Sequence, residues 1–177
     1  MMKTQTPVPW RTILVPTDFS DCSDAALILA SRLAAIQDAK IVLLHASELA
    51  GGIEPSMLVH PDGQAEPVTA ERFLRASAEE RLRAQAERCG GEVPIALRVE
   101  LGPPDETILR VAHGVGADVI IMGTHGRTGL AHLIVGSVAE RVVRTSPVAV
   151  LTVRRPDATP HDARTKAERD LEDETAG

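Results

Sequence analysis

The run Val119-Ile120-Ile121-Met122-Gly123-Thr124-His125-Gly126-Arg127-Thr128-Gly129, with Gly136-Ser137 after it, decides the reading of this chain. Four apolar residues without polar alternation suit a strand covered on both faces, as in a parallel sheet. Glycines follow at Gly123, Gly126 and Gly136, separated by two and then nine residues. Lacking a Cβ, glycine lets main-chain N–H groups approach a ligand closely. A helix opening at Ser137 adds the partial positive charge of its N-terminus. A buried strand, permissive backbone and a helix start together build an anion cradle from main chain. We read it as the phosphate site of a nucleotide.

The neighbouring segments supply the sheet this cradle needs. Arg11 to Pro16 reads as the first strand, and Thr17-Asp18-Phe19-Ser20 turns into a helix with Ser20 as N-cap and Asp21 and Asp24 in its first turn. Cys22, Ala26, Leu29, Ala30, Leu33 and Gln37 then recur at helical spacing. Lys40 opens a second strand through Ala46. Residues 47–67 form a long connection rich in Gly and Pro, read as a lid or a variable insertion. A second helix spans Thr69 to Cys89, with the stripe Ala70, Phe73, Leu74, Ala78, Leu82 and Ala86, and stops at Gly90-Gly91.

Ile95 to Leu101 carries Arg98 and Glu100, as an edge strand would. Pro104-Asp105-Glu106 starts a third helix, with Ile108, Val111, Ala112 and Val115 as its inner face and Gly114 and Gly116 at its end. Ser137 and Glu140 match the S-x-x-E capping box, so Ser137 either caps a fourth helix that starts near it or serves the phosphate site at that helix start. The spacing to Gly123 and Gly126 favours the phosphate role. Val148 to Val153 is the fifth strand. This alternation predicts an α/β fold: a five-stranded parallel sheet in the order 3-2-1-4-5 with helices on both faces. Ligands in such sheets bind at the carboxyl ends of the strands, beside the point where the order reverses. Asp18 and Gly123 stand there. The predicted domain is 11–154, with a charged tail at 155–177.

Composition narrows the function. Of 177 residues, 44% are apolar, which is globular, and 2% are aromatic, with no Tyr. Stacking platforms for single-stranded nucleic acid are thus lacking, and a formal charge of −6 opposes binding to a phosphate backbone. No apolar run approaches membrane-spanning length and no signal-peptide pattern opens the chain, so a cytoplasmic protein is expected. Cys22 and Cys89 show neither disulfide nor metal spacing. No G-x4-G-K-[S/T] motif occurs, and Lys3, Lys40 and Lys166 lie away from the glycines, which argues against fast NTP hydrolysis. Gly114-Val115-Gly116 precedes a strand, the wrong context for a dinucleotide fingerprint.

Three stretches together resemble the universal stress protein family in its ATP-binding branch: Ile13 to Ser20, Val42-Leu43-Leu44-His45, and Gly116 to Arg127 leading into Gly136-Ser137. The resemblance implies a Rossmann-like adenine-nucleotide-binding sandwich, usually a homodimer. It places Asp18, with Pro16 and Thr17, against ribose or a phosphate-bound Mg²⁺. It gives Ala46 a backbone contact to adenine, makes Met122 and Gly123 the pocket floor, and has Gly126, Arg127, Gly136, Ser137 and Val138 hold ribose and phosphates. His125 lies between cradle glycines, where its backbone would do the binding. Ala46 departs from the Val often found at that position.

The expected function is therefore an ATP-binding stress-response regulator, not primarily an enzyme, with Mg²⁺ arriving with the nucleotide. The alternative is a slow Mg-dependent ATPase or an adenylyl or phosphoryl transferase using Asp18. A ligand-free scaffold is a further rival. A response-regulator receiver fits poorly, because Gly102 follows strand 3 and Arg154-Arg155 follow strand 5. The apolar fifth strand, 148–153, is the edge expected to pair with a second copy.

Overall fold

The computed structural model describes residues 9–49, 51–61, 66–124 and 136–154. The main sheet contains β1 (Thr12–Pro16), β2 (Lys40–Ser47), β5 (Ile95–Leu101), β6 (Val119–Gly123) and β7 (Ala149–Val153). They run parallel in the order β5-β2-β1-β6-β7, which is the expected 3-2-1-4-5. Helices α1 (Asp21–Gln37) and α2 (Ala70–Cys89) cover one face; α3 (Pro104–Val115) and α4 (Ser137–Thr145) cover the other.

The unbroken apolar strands feed two cores because successive side chains point to opposite faces. Ile13, Val15, Ile41, Leu43 and Ile121 pack with Leu27, Ala30 and Leu82 of the α1/α2 layer. Leu14, Val42, Leu44, Ile120 and Met122 pack with Ile108, Val111 and Val142 of the α3/α4 layer. Asp118 starts the sheet: its Oδ2 accepts the amides of Arg11 (2.7 Å) and Thr12 (2.9 Å), tying the beginning of β6 to that of β1.

Helix ends follow local chemistry. Ser20 caps α1, its hydroxyl accepting the Ser23 amide at 3.3 Å. Gly116 ends α3 in the left-handed region at φ 63°. At Gly90 an added Cβ would collide with the Ala86 carbonyl and Ile95, so only glycine allows α2 to turn into β5 there.

Three expectations are corrected. Residues 47–67 are not a plain connection: β3 (Leu58–Val59) and β4 (Val68–Thr69) pair antiparallel, a ladder too short to leave a periodic signature. Phe73, counted into the α2 stripe, is 45% exposed, and Gln85 is buried instead, because the inner face of α2 turns toward α1 and meets polar groups there. The capping box at Ser137 is not made. α4 opens at Ser137 as expected, but its N-cap is Gly136, without a side-chain cap, so Glu140 falls one position too far along for the box and pairs with Arg144.

Candidate functional site

The carboxyl ends of β1, β2 and β6 open onto a cavity of about 290 Å³. Pro16, Thr17, Asp18, Ala46, Met122, Gly123, Gly136, Ser137 and Val138 all line it, so residues from four separate stretches of sequence converge. His125, Gly126 and Arg127 lie outside the described residues. Sequence reasoning missed Ser23, Leu44, Thr124, Ala139, Pro104 and Ile108 in the lining. The last two belong to α3. The signal available was that α3 follows a sheet strand, which points its N-terminus to this same end.

Three helix N-termini meet here, and they differ in what they offer an anion. At α1 the Ser20 side chain occupies the Ser23 amide. At α3 the first residue is Pro104, which has no N–H, and Asp105 and Glu106 follow in the first turn. At α4 no side-chain cap intervenes, the acid of the first turn, Glu140, pairs with Arg144, and Ser137, Val138 and Ala139 line the cavity. Unpaired first-turn amides with the helix dipole behind them favour negative charge. The cavity thus has one electropositive end at α4. Pro104, Ile108 and Leu44 add apolar surface to the lining.

Gly136 has a narrower role than its spacing suggests. Its amide donates to the Thr124 carbonyl at 2.6 Å, joining the end of β6 to the start of α4. The donors left for a ligand are the next amides along. At Gly123 an added Cβ would sit 2.8 Å from the Cβ of Cys22, so glycine there also lets β6 end against the start of α1.

The β1–α1 turn is held by its own side chains. The Thr17 amide donates to Leu44 O at 2.8 Å, and Thr17 Oγ1 accepts the Phe19 amide at 2.9 Å and donates to Ser23 Oγ at 3.0 Å. Asp18 Oδ1 accepts the Ser20 amide (3.1 Å) and the Ser20 hydroxyl (2.6 Å). Asp18 therefore makes an Asx turn and lines the cavity at once. His45 Nδ1 lies 2.9 Å from the Thr17 carbonyl, as a group bonded at the sheet end, and is not among the lining residues.

Asp18 is the single acidic side chain among the described lining residues, and no group of three His, Cys, Asp or Glu that could hold a metal occurs among the described residues. A larger depression of about 510 Å³ lies at the opposite, amino ends of the strands, between α1 and the turn Cys89–Pro94. Among the described residues, no helix N-terminus lines it. Burial, aided by the Asp24 carboxylate, pushes the Cys89 thiol there up, against the opposing pull of Arg88, which suits an inert residue. No described helix is long and apolar enough to cross a membrane.

Comparison with known proteins agrees with this fold. The sequence pattern described as the Universal stress protein family matches residues 9–154. Universal stress protein MJ0577 of Methanocaldococcus jannaschii is 31% identical over 157 residues, covering 84% of this chain and 97% of that protein. A universal stress protein of Thermus aquaticus is 33% identical over 146 residues, covering 82% and 99%. The solved structure of MJ0577 is similar with a TM-score of 0.67 at 27% identity, over 85% of this chain and 100% of that one. A universal stress protein solved in complex with cAMP shares the fold, with a TM-score of 0.60 at 24% identity over 84% and 99%. With the family pattern spanning residues 9–154 and relatives more than 30% identical over most of the chain, the chain belongs to the universal stress protein family.

Proposed function

We propose that the chain is an adenine-nucleotide-binding regulator of the stress response, with ATP as its ligand. One observation carries the reading: the uncapped N-terminus of α4 faces an apolar-walled cavity at the point where the strand order reverses. Phosphates belong at the Ser137, Val138 and Ala139 amides, ribose near Asp18, and the base beside Ala46, Pro104 and Ile108. Arg127, Gly126 and His125 complete the phosphate cradle in this proposal. Charge-assisted bonds to several amides, each about 1.5–3 kcal/mol, are enough for micromolar affinity, about −8 kcal/mol, after ordering costs. That a relative of this fold was solved with cAMP, and another with dAMP, supports the same class of ligand.

The residues fit Mg²⁺ only as a companion of the nucleotide. Asp18 offers one carboxylate, partly engaged with Ser20, so phosphate oxygens and water would have to supply the remaining ligands. We further propose a cytoplasmic homodimer paired through β7, with residues 11–154 as the nucleotide-binding domain and 155–177 as an appended tail. Nucleotide state would then alter conformation or partner choice.

Calorimetric titration with Mg-ATP tests the proposal on the wild-type chain and on Gly136→Asp. An aspartate at the N-cap would occupy the first-turn amides and repel phosphate. Micromolar binding by the wild type, weakened at least tenfold in the variant with folding unchanged, is expected. No binding by the wild type, or equal binding by both, would refute the assignment. ADP released in the same samples, and abolished by Asp18→Ala, would favour the ATPase alternative.

A further inference from the structure

The segment that presents Asp18 to the cavity contains a residue in an unfavourable conformation. Phe19 has φ 64°, in the left-handed region that β-carbon-bearing residues avoid. Backbone held this way persists only where its surroundings over-determine it. At Phe19 they do. The Arg81 guanidinium carbon lies 3.8 Å from the centre of the Phe19 ring, the His45 ring centre lies 4.5 Å away at a 40° tilt, and the Phe19 amide is tied to Thr17 Oγ1.

Arg81 is an exposed residue of α2 and does not line the cavity. It is not alone on its helix. Gln85 and Arg88, four and seven positions further on, occupy the same face. Gln85 Nε2 donates to Asp24 Oδ1 at 2.7 Å and lies 3.5 Å from Ser23 Oγ, and Arg88 Nη2 binds both Asp24 oxygens at 2.9 and 2.7 Å. One stripe of α2 therefore grips the β1–α1 turn and the first turn of α1, the two places that supply Asp18 and Ser23 to the cavity. Buried Gln85 makes this grip with its Oε1 unpartnered, a cost that packing alone does not explain.

We propose that Arg81 is a positioning residue for the nucleotide site. By a cation–π contact it holds Phe19 left-handed, and that fixes the turn which directs Asp18 into the cavity. The inference rests on the nucleotide reading above for its ligand, and on the turn alone for its mechanism.

The test uses the full chain as wild type, Arg81→Lys and Arg81→Met. Lysine keeps the cation; methionine keeps only the apolar stem. Mg-ATP affinity should fall about two- to fivefold in Arg81→Met, the size of a cation–π contact at an exposed site, and return most of the way in Arg81→Lys. A packing role would show the reverse order, or no change, and either result overturns the proposal. Hydrogen exchange on nucleotide-free protein gives an independent arm. The Phe19 and Ser20 amides, bonded to Thr17 Oγ1 and Asp18 Oδ1, should exchange faster in Arg81→Met and near the wild-type rate in Arg81→Lys. Unchanged exchange in Arg81→Met overturns the proposal even if no variant binds nucleotide. Absence of binding by the wild type, with the exchange pattern as expected, would instead count against the nucleotide reading alone.

Discussion

A methyl group added at Gly123 would sit 2.8 Å from the Cβ of Cys22 and 3.0 Å from its carbonyl carbon. Backbone cannot yield there as a flexible side-chain end can, because Cys22 lies in the first turn of α1, just behind the Ser20 cap. Gly123→Ala should therefore destabilise the protein by about 1–3 kcal/mol, the usual cost of overpacking, read as a lower denaturant midpoint with an unchanged slope. An unaltered midpoint would mean that α1 can shift away freely. In sequence, Gly123 is legible as a point of close approach, but the partner is not. Its spacing to Gly126 suggests a ligand, while the nearest atoms belong to Cys22 of α1, 101 residues earlier in the chain. Asp18 is similar. Its place at a strand end is legible, but only coordinates reveal that one carboxylate oxygen is already engaged by Ser20.

The elements at the two sheet edges are treated differently. On the β5 side, Arg75 of α2 donates to the Val99 carbonyl at 2.8 Å, and charged Arg98 and Glu100 stand along the strand, devices that discourage a further strand. β7 carries Ala149, Val150, Leu151, Thr152 and Val153, apolar but for Thr152, with Leu151 36% exposed. The proposed dimer therefore uses β7. Leu151→Lys should convert a species of twice the chain mass to one of single mass in sedimentation equilibrium, while Leu97→Lys on β5 should leave it paired. A wild-type chain that sediments as a monomer, or a dimer lost only through Leu97→Lys, would contradict that pairing. Elements were legible to different degrees for physical reasons. Long amphipathic helices such as α3 announce themselves by caps and period, whereas β3 and β4, two residues each, carry too few positions for any period. The start of α4 at Ser137 is legible, but its N-cap is not, because a backbone-only glycine cap leaves no side-chain signature.

At the scale of the whole molecule, the alternation of apolar strands with amphipathic helices was enough to read the layer order and strand order, since right-handed crossovers and two-sided burial leave few arrangements. The end of the sheet at which the cavity opens follows from the same topology. What topology could not supply was the polarity of the cavity. That comes from how three helix starts differ: a serine cap at α1, a proline without an N–H at α3, and first-turn amides without a side-chain cap at α4. The account as a whole depends on those α4 amides. The most direct measurement is a titration of ¹⁵N-labelled protein with Mg-ATP, following the backbone amide resonances of Ser137, Val138 and Ala139. We predict that these three move downfield as a group and saturate with the affinity measured by calorimetry, as donors to phosphate do. Saturable binding that leaves them in place while resonances around the Cys89–Pro94 turn move would contradict the account.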